Sequence, residues 1–220
     1  MLDRILKQQQ PFQPVVLYEG RLLPMDFTAA NKELSPEILN DVNLFADYIT
    51  HQLAQHHCVF GIGGYAEHRT IYAGNPHFDT EEEPRRLHLA VDIWGPAGTI
   101  VYAPLDGKIH SFRYNDQHGD YGATIILQHQ LSGHIFHTLY GHLSLADLEG
   151  LSVNDKVVAG QVLAHFGEIA ENGHWPPHLH FQVIEDMEGK EGDYPGVCRY
   201  SERERYLANC PDPNIILEMI

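Results

Sequence analysis

The sequence predicts a mainly β fold, an antiparallel β-sandwich or half-barrel core with a helical extension on its N-terminal side. Three observations predict it. Between residues 85 and 185, short β-branched segments alternate apolar with polar residues and are separated by Gly, Asp and Asn turns. Ahead of them lies one stretch with a helical period, and behind them come turns and one short helical stretch. The 220 residues suit one domain with appendages, and 43% hydrophobic content suffices to bury a core.

Along the chain, Ser35-Pro36-Glu37 is a helix start, with Ser as N-cap and Pro at the first helical position. Ile38, Val42, Phe45, Ala46, Ile49 and Leu53 continue one amphipathic helix to about residue 56. Gly61-Ile62-Gly63-Gly64 is not followed by the Gly-Lys-Ser/Thr of a phosphate loop and reads as a glycine-permitted turn. Glu81-Glu82-Glu83-Pro84 marks an exposed boundary, closing an extension of residues 1–83. The core, 84–186, holds candidate strands at 87–94, 99–102, 107–114, 123–129, 135–140, 156–158, 162–166 and 179–184. The tail, 187–220, reads as turns around 193–197 and 210–214 and a short helix over 201–209, packed on the core. No internal repeat is evident.

Charge narrows the function. With 14 Lys+Arg against 30 Asp+Glu, the chain carries −16 and repels phosphate backbones and anionic membranes, so neither nucleic acid nor a membrane is expected as partner. The same charge disfavours adsorption to an acidic wall polymer. Three cysteines form no Cys-x-x-Cys pair. The first residues lack the apolar stretch of a signal peptide and no run approaches a membrane span, so a reducing cytosol is the expected compartment. Sixteen histidines direct attention to metal binding and proton transfer, the two commonest uses of imidazole.

Two segments concentrate that chemistry. If 87–94 is a strand, Leu87, Leu89, Val91 and Ile93 share one apolar face and His88, Ala90 and Asp92 the other. In His178-Leu179-His180-Phe181-Gln182-Val183 the same alternation puts His178, His180 and Gln182 opposite an apolar face. Two imidazoles and a carboxylate would hold zinc with one position open for water, and a further imidazole could take that water's proton. Alternation alone does not say which of His178 and His180 would be a ligand.

His88-Leu89-Ala90-Val91-Asp92, Tyr140-Gly141-His142-Leu143 and Pro177-His178-Leu179-His180-Phe181-Gln182 together resemble the motifs of the lysostaphin/LytM-type zinc endopeptidases. Ala103-Pro104-Leu105-Asp106-Gly107-Lys108-Ile109 and Val158-Ala159-Gly160-Gln161-Val162-Leu163 extend the likeness over roughly 85–185. The resemblance implies a duplicated hybrid motif fold and a peptidase that uses Zn2+. It implies His88, Asp92 and His180 as ligands, with His142 and His178 as catalytic histidines. Ala90 stands where the family has glycine and Gln182 where it has an acid. Asn172-Gly173-His174-Trp175-Pro176-Pro177 replaces a stretch of small residues, so the groove is shaped differently. Trp175 and Tyr140 are therefore candidate substrate-binding residues, as is Arg69, with Tyr72 and His77 as further groups able to reach in. The chain is also similar to a cytosolic subgroup of this family, often fused to aminotransferase and phosphotransferase modules. That likeness points away from wall lysis, and with no signal peptide, wall-binding module or basic charge in the sequence the expected substrate is a small peptide or amide.

Three rival readings stand beside this one. A non-catalytic LytM-like regulatory or scaffold module would be expected to lose site residues, which are all kept here. A biotinyl or lipoyl carrier needs a lysine at a hairpin tip, and Lys108 sits beside its glycine turn instead. Non-haem iron shares the two-histidine, one-carboxylate set, but its first pair is usually spaced more closely than His88 and Asp92.

Overall fold

In the computed structural model, which describes residues 1–75, 77–79 and 83–219, the chain is 32% strand and 21% helix. The mainly β expectation holds. Glu81 and Glu82 of the expected boundary lie outside the described residues.

The N-terminal part is richer than one helix. Helix α1, Leu2–Gln9, buries Leu2 and Leu6. Strand β1, Arg21–Met25, precedes α2, Pro36–Asn40, where Ser35 Oγ accepts from the Ile38 N–H (3.3 Å). The expected single helix then breaks, because Asp41 is itself a strong N-cap. Its carboxylate accepts from the Asn43 and Leu44 N–H groups (2.9 and 3.4 Å) and opens α3, Val42–His56. Strand β2, Cys58–Gly63, contains Gly61 and Gly63 of the segment expected to form a turn. Both are extended, and their value is the missing side chain. A Cβ on Gly63 would lie 2.6 Å from Arg69 Nη2.

The expected strand over 87–94 is two strands, β3 at Arg85–His88 and β4 at Val91–Trp94. They belong to different sheets, so the four apolar residues do not share a face. Leu87 and Leu89 pack in one core cluster and Val91 and Ile93 in another. The remaining strands are β5 (Ile100–Tyr102), β6 (Gly107–Asn115), β7 (Gly122–Leu131), β8 (His134–Leu143), β9 (Lys156–Val157), β10 (Val162–His165), β11 (His178–Ile184) and β12 (Val197–Arg199). β7 and β8 form a hairpin over Ser132-Gly133. Both residues have positive φ (51° and 80°), the turn whose twist matches the flanking strands. Helices α4, Arg203–Asn209, and α5, Asn214–Leu217, end the chain.

One sheet of eight strands runs β1-β2-β4-β11-β8-β7-β6-β9, and β5/β10 and β3/β12 form two-stranded sheets. Pairing is antiparallel except between β1 and β2, which are parallel and lie in the N-terminal extension, outside the antiparallel core expected over 85–185. The main core joins Val91, Ile93, Ile125, Tyr140, Phe181 and Val183 of the large sheet with Val101 of β5 and Ala164 of β10. Leu2, Leu6, Ile216 and Leu217 from both ends of the chain complete it. The opposite face carries two further clusters. One lies under α3 with Phe27, Phe45, Tyr72, Phe78 and Trp94, and the other lies under the tail with Leu87, Tyr121, Tyr194 and Cys210. The candidate site lies on this face.

Candidate metal centre and cleft

Sheet register brings the polar motifs together. In the antiparallel pair β4/β11, Asp92 is directly opposite His180, and Trp94 opposite His178. Alternation along β11 holds: Leu179, Phe181 and Val183 enter the main core while His178, His180 and Gln182 face away from it. His88 arrives from β3, which is paired with β12 at Val197. The break at Leu89-Ala90, both fully buried, turns the chain from one sheet to the other while keeping His88 beside Asp92.

Ligand-capable atoms of His88, Asp92 and His180 lie within 4.8 Å of one another. His88 Nε2 and His180 Nδ1 are 3.2 Å apart, and Asp92 Oδ1 is 3.3 and 3.1 Å from them. Four-coordinate zinc with bonds of about 2.0–2.1 Å spaces its ligand atoms about 3.3 Å apart, so these residues fit that ion.

Proton positions strengthen the fit. His88 Nδ1 faces the Gly64 carbonyl (3.3 Å), which can only accept, so the proton sits on Nδ1 and Nε2 presents a lone pair. Gln182 donates its amide to Pro195 O (3.1 Å), which aims its own oxygen at His180 Nε2 (3.0 Å). That places a proton on His180 Nε2 and a lone pair on Nδ1. Asp92 Oδ1 is buried without a hydrogen bond of acceptable geometry. Three acceptors thus face one another with no proton between them, an arrangement that a cation satisfies.

Arg69 explains the carboxylate's orientation. Its guanidinium donates to Asp92 Oδ2 through Nη1, to Glu67 Oε2 (2.7 Å) and to Tyr72 Oη (3.1 Å). Burial opposes ionisation of Asp92, but adjacent His88 and Arg69 hold its carboxyl well below the ordinary range. Arg69 has no exposed surface, so its expected role in substrate binding is corrected: it holds Asp92 from behind. Tyr140 is corrected too. It is fully buried among the main-core residues beside Phe181, its hydroxyl 3.0 Å from Thr138 Oγ1.

His142, two residues on, would face the core with Tyr140 if alternation continued. Instead its φ is +62°, in the left-handed region that side chains rarely adopt, and the ring joins the site. Its Nδ1–H donates to Asn172 O (2.7 Å), and that of His178 to Pro176 O (2.8 Å). Each ring therefore presents an unprotonated Nε2. The two rings are 4.1 Å apart, and His178 also stacks on Trp94 at 3.8 Å. Burial, followed for His142 by the neighbouring histidines, keeps both neutral: His142 lies well below the ordinary range and His178 is pushed down to about 4.

A cleft opens in front of these groups. Asp92, His142, His178 and His180 line one side. Tyr72, Phe78 and Trp175 form an aromatic wall, with ring centroids 4.5, 6.0 and 6.3 Å apart. Trp175, Tyr72 and His77 thus reach the cleft. Tyr121, its hydroxyl 3.3 Å from His180 Nε2 and donating to Tyr194 O (3.0 Å), escaped sequence reasoning because no spacing ties it to the motifs.

Residues 86–193 match the model described as Peptidase family M23. The M23-matching segment includes every residue of the ligand set and both further histidines. It excludes Tyr72, Phe78 and Arg69, which come from upstream. A comparison with curated proteins gave no match. Among solved structures, the chain is similar to lysostaphin from Staphylococcus simulans at 27% identity, covering 60% of this chain and 44% of that one, with a TM-score of 0.41. Its catalytic domain alone gives 26% identity, 56% and 81% coverage and a TM-score of 0.39. A zinc-containing peptidase from Vibrio cholerae gives 29% identity, 50% and 31% coverage and a TM-score of 0.37. The chain thus spans less than half the length of two of these three proteins.

Proposed function

We propose that the protein is a zinc-dependent hydrolase of the lysostaphin/LytM peptidase type that cleaves a peptide or amide bond in a small substrate. The observation that carries this reading is the convergence of three unprotonated acceptors, His88 Nε2, Asp92 Oδ1 and His180 Nδ1, where Asp92 and His180 line a cleft. The family match over the same residues supports it.

His88, Asp92 and His180 hold the ion. Zinc, when bound, supplies Lewis acidity that makes water a competent nucleophile near neutral pH. The neutral rings of His142 and His178 supply the proton acceptor at Nε2. The ring that takes the proton as water's oxygen bonds to the carbonyl carbon then returns it to the departing nitrogen as the C–N bond breaks. The Nδ1 hydrogen bonds to Asn172 O and Pro176 O fix each ring's orientation and tautomer through that exchange.

We place the reaction in the cytosol. Cys198 and Cys210 are free thiols buried in one cluster, which suits a reducing compartment, and among the described residues no helix is long and apolar enough to cross a membrane. Zinc quantification on purified protein, with a hydrolase screen of D-amino dipeptides, γ-linked peptides and muropeptides, tests the proposal. Stoichiometric zinc with turnover of a small amide is expected. Zinc-loaded protein inert toward the whole panel would overturn it.

A further inference from the structure

The cleft has a second polar feature, away from the ligand set. Asp120 and Asp193 both line it, and both lie within the M23-matching segment. Asp120 Oδ1 accepts from the Tyr121 N–H (2.8 Å), and Asp193 accepts from the backbone of Tyr194. Among the described residues neither carboxylate takes part in an ion pair. Arg85, the cation lining the same cleft, is engaged elsewhere: its guanidinium lies over the Phe78 ring at 5.4 Å and donates to the His77 carbonyl. His77 lies near both acids and this arginine, and its ring is held below its ordinary range by burial. Burial and the nearby Asp120 both raise Asp193. Two carboxylates therefore repel one another inside a concave, partly desolvated site; nearby Arg113 and His77 offset only part of this, and Asp193 is still held above its ordinary range, an arrangement that a further cation would relieve.

A second observation points to a ligand in this space. His142 and His178, 5% and 3% exposed, turn Nδ1 to backbone carbonyls and leave Nε2 unpartnered toward the cleft. An occupant that reaches these histidines and the aromatic wall also meets the acids. We propose that Asp120 and Asp193 recognise a protonated amino group of the substrate, so that the cleft takes a small peptide or amide with a free amine rather than an internal stretch of polymer. This deepens the hydrolase reading and rests on it for the bond cleaved, though not for the charge recognised.

The test pairs binding with turnover. Alanine amide and N-acetylalanine amide differ in whether the amine carries charge. NMR titration of the metal-free full chain with each probe reads the preference without any reaction. The free amine is expected to bind at least about tenfold tighter, the scale of a hydrogen bond to a charged group. The preference should shrink with added salt. Asp120→Asn and Asp193→Asn, close in shape to the acids, should each remove most of it while leaving the unfolding midpoint unchanged. In zinc-loaded protein, alanyl dipeptides of both chiralities should be cleaved with a free amine and spared when acetylated. Equal binding of the two probes, or a preference that survives both substitutions, would overturn the inference. A charge preference that both substitutions abolish, in a protein that cleaves no peptide, would uphold the acidic pair and sink the hydrolase reading alone.

Discussion

The two sides of the cleft are built differently. The floor, with His88, Asp92, His142, His178 and His180, comes from paired strands and their ends, where register fixes each side chain against its neighbour. The facing wall, with Tyr72, His77 and Phe78, comes from irregular chain upstream of the M23-matching segment. Pro195, Gly196 and Val197 close the downstream edge. Sheet register gives the precision that metal coordination requires, whereas loops tolerate the variation that selects a substrate. The floor should therefore govern whether a reaction occurs, and the wall which molecule undergoes it.

The largest effects belong to the ligands. Asp92→Ala or His180→Ala removes one of three donors, so zinc content and turnover should fall together to background. His142→Ala and His178→Ala should keep most of the zinc and lose roughly 10²–10⁴ in turnover, the range of general acid–base groups. Metal analysis beside kinetics separates the two classes. If His178→Ala empties the site while His180→Ala leaves it filled, the assignment within that pair is reversed.

Arg69 tests whether the wall and floor are as separate as this division claims, because it is upstream in sequence yet holds Asp92. Arg69→Met leaves Glu67 and Asp92 without their buried cation. A cost of about 3–5 kcal/mol in metal-free stability is expected, with zinc affinity weakened about 10–100-fold, as for other residues that orient ligands. Denaturant titration and competition with a chelator measure these. Unchanged values in both would show that Asp92 is positioned by its strand alone. Phe78→Leu, by contrast, should leave zinc and kcat unchanged and raise KM several-fold through lost aromatic contact. A fall in kcat at constant KM would move Phe78 into the machinery of the floor.

The same division decided what could be read from sequence. β11 was legible residue by residue, since one period of alternation runs unbroken from His178 to Val183. The segment 87–94 looked like its twin, and His88 and Asp92 do meet, but through a change of sheet at Leu89-Ala90 that no local pattern announces. Tyr140 misled for a related reason. It shares a motif with His142, yet a single left-handed residue puts them on opposite faces. Arg69 reads in the sequence as a substrate-binding group, and its place behind Asp92 depends on Gly63, six residues away on another element. Asp120, Asp193 and Tyr121 carry no spacing signal, because contacts across loops are set only once the sheet has formed.

Acid conditions affect floor and fold together, and the smallest effect on turnover comes from a histidine that separates them. His129 is 1% exposed, with Nδ1–H donating to Asp106 O (2.9 Å) and Nε2 2.7 Å from Thr138 Oγ1, away from the cleft. Burial pushes it down to about 4, whereas an unfolded histidine titrates near 6.5. Between those values the unfolded chain binds more protons than the native one, so stability falls as pH drops through this window and levels off below it. At pH 5 the loss from this residue is about 2 kcal/mol. His129→Gln should leave turnover at pH 7 unchanged and flatten the pH dependence of stability by that amount. Urea unfolding of metal-free protein at pH 7 and pH 5 measures it, and because the cleft histidines are common to both proteins their contribution cancels in the difference. If the two proteins show the same slope, His129 is not the acid-sensitive group of the fold. If the variant's activity also loses its acid fall-off, that fall-off reports unfolding and not the titration of the floor.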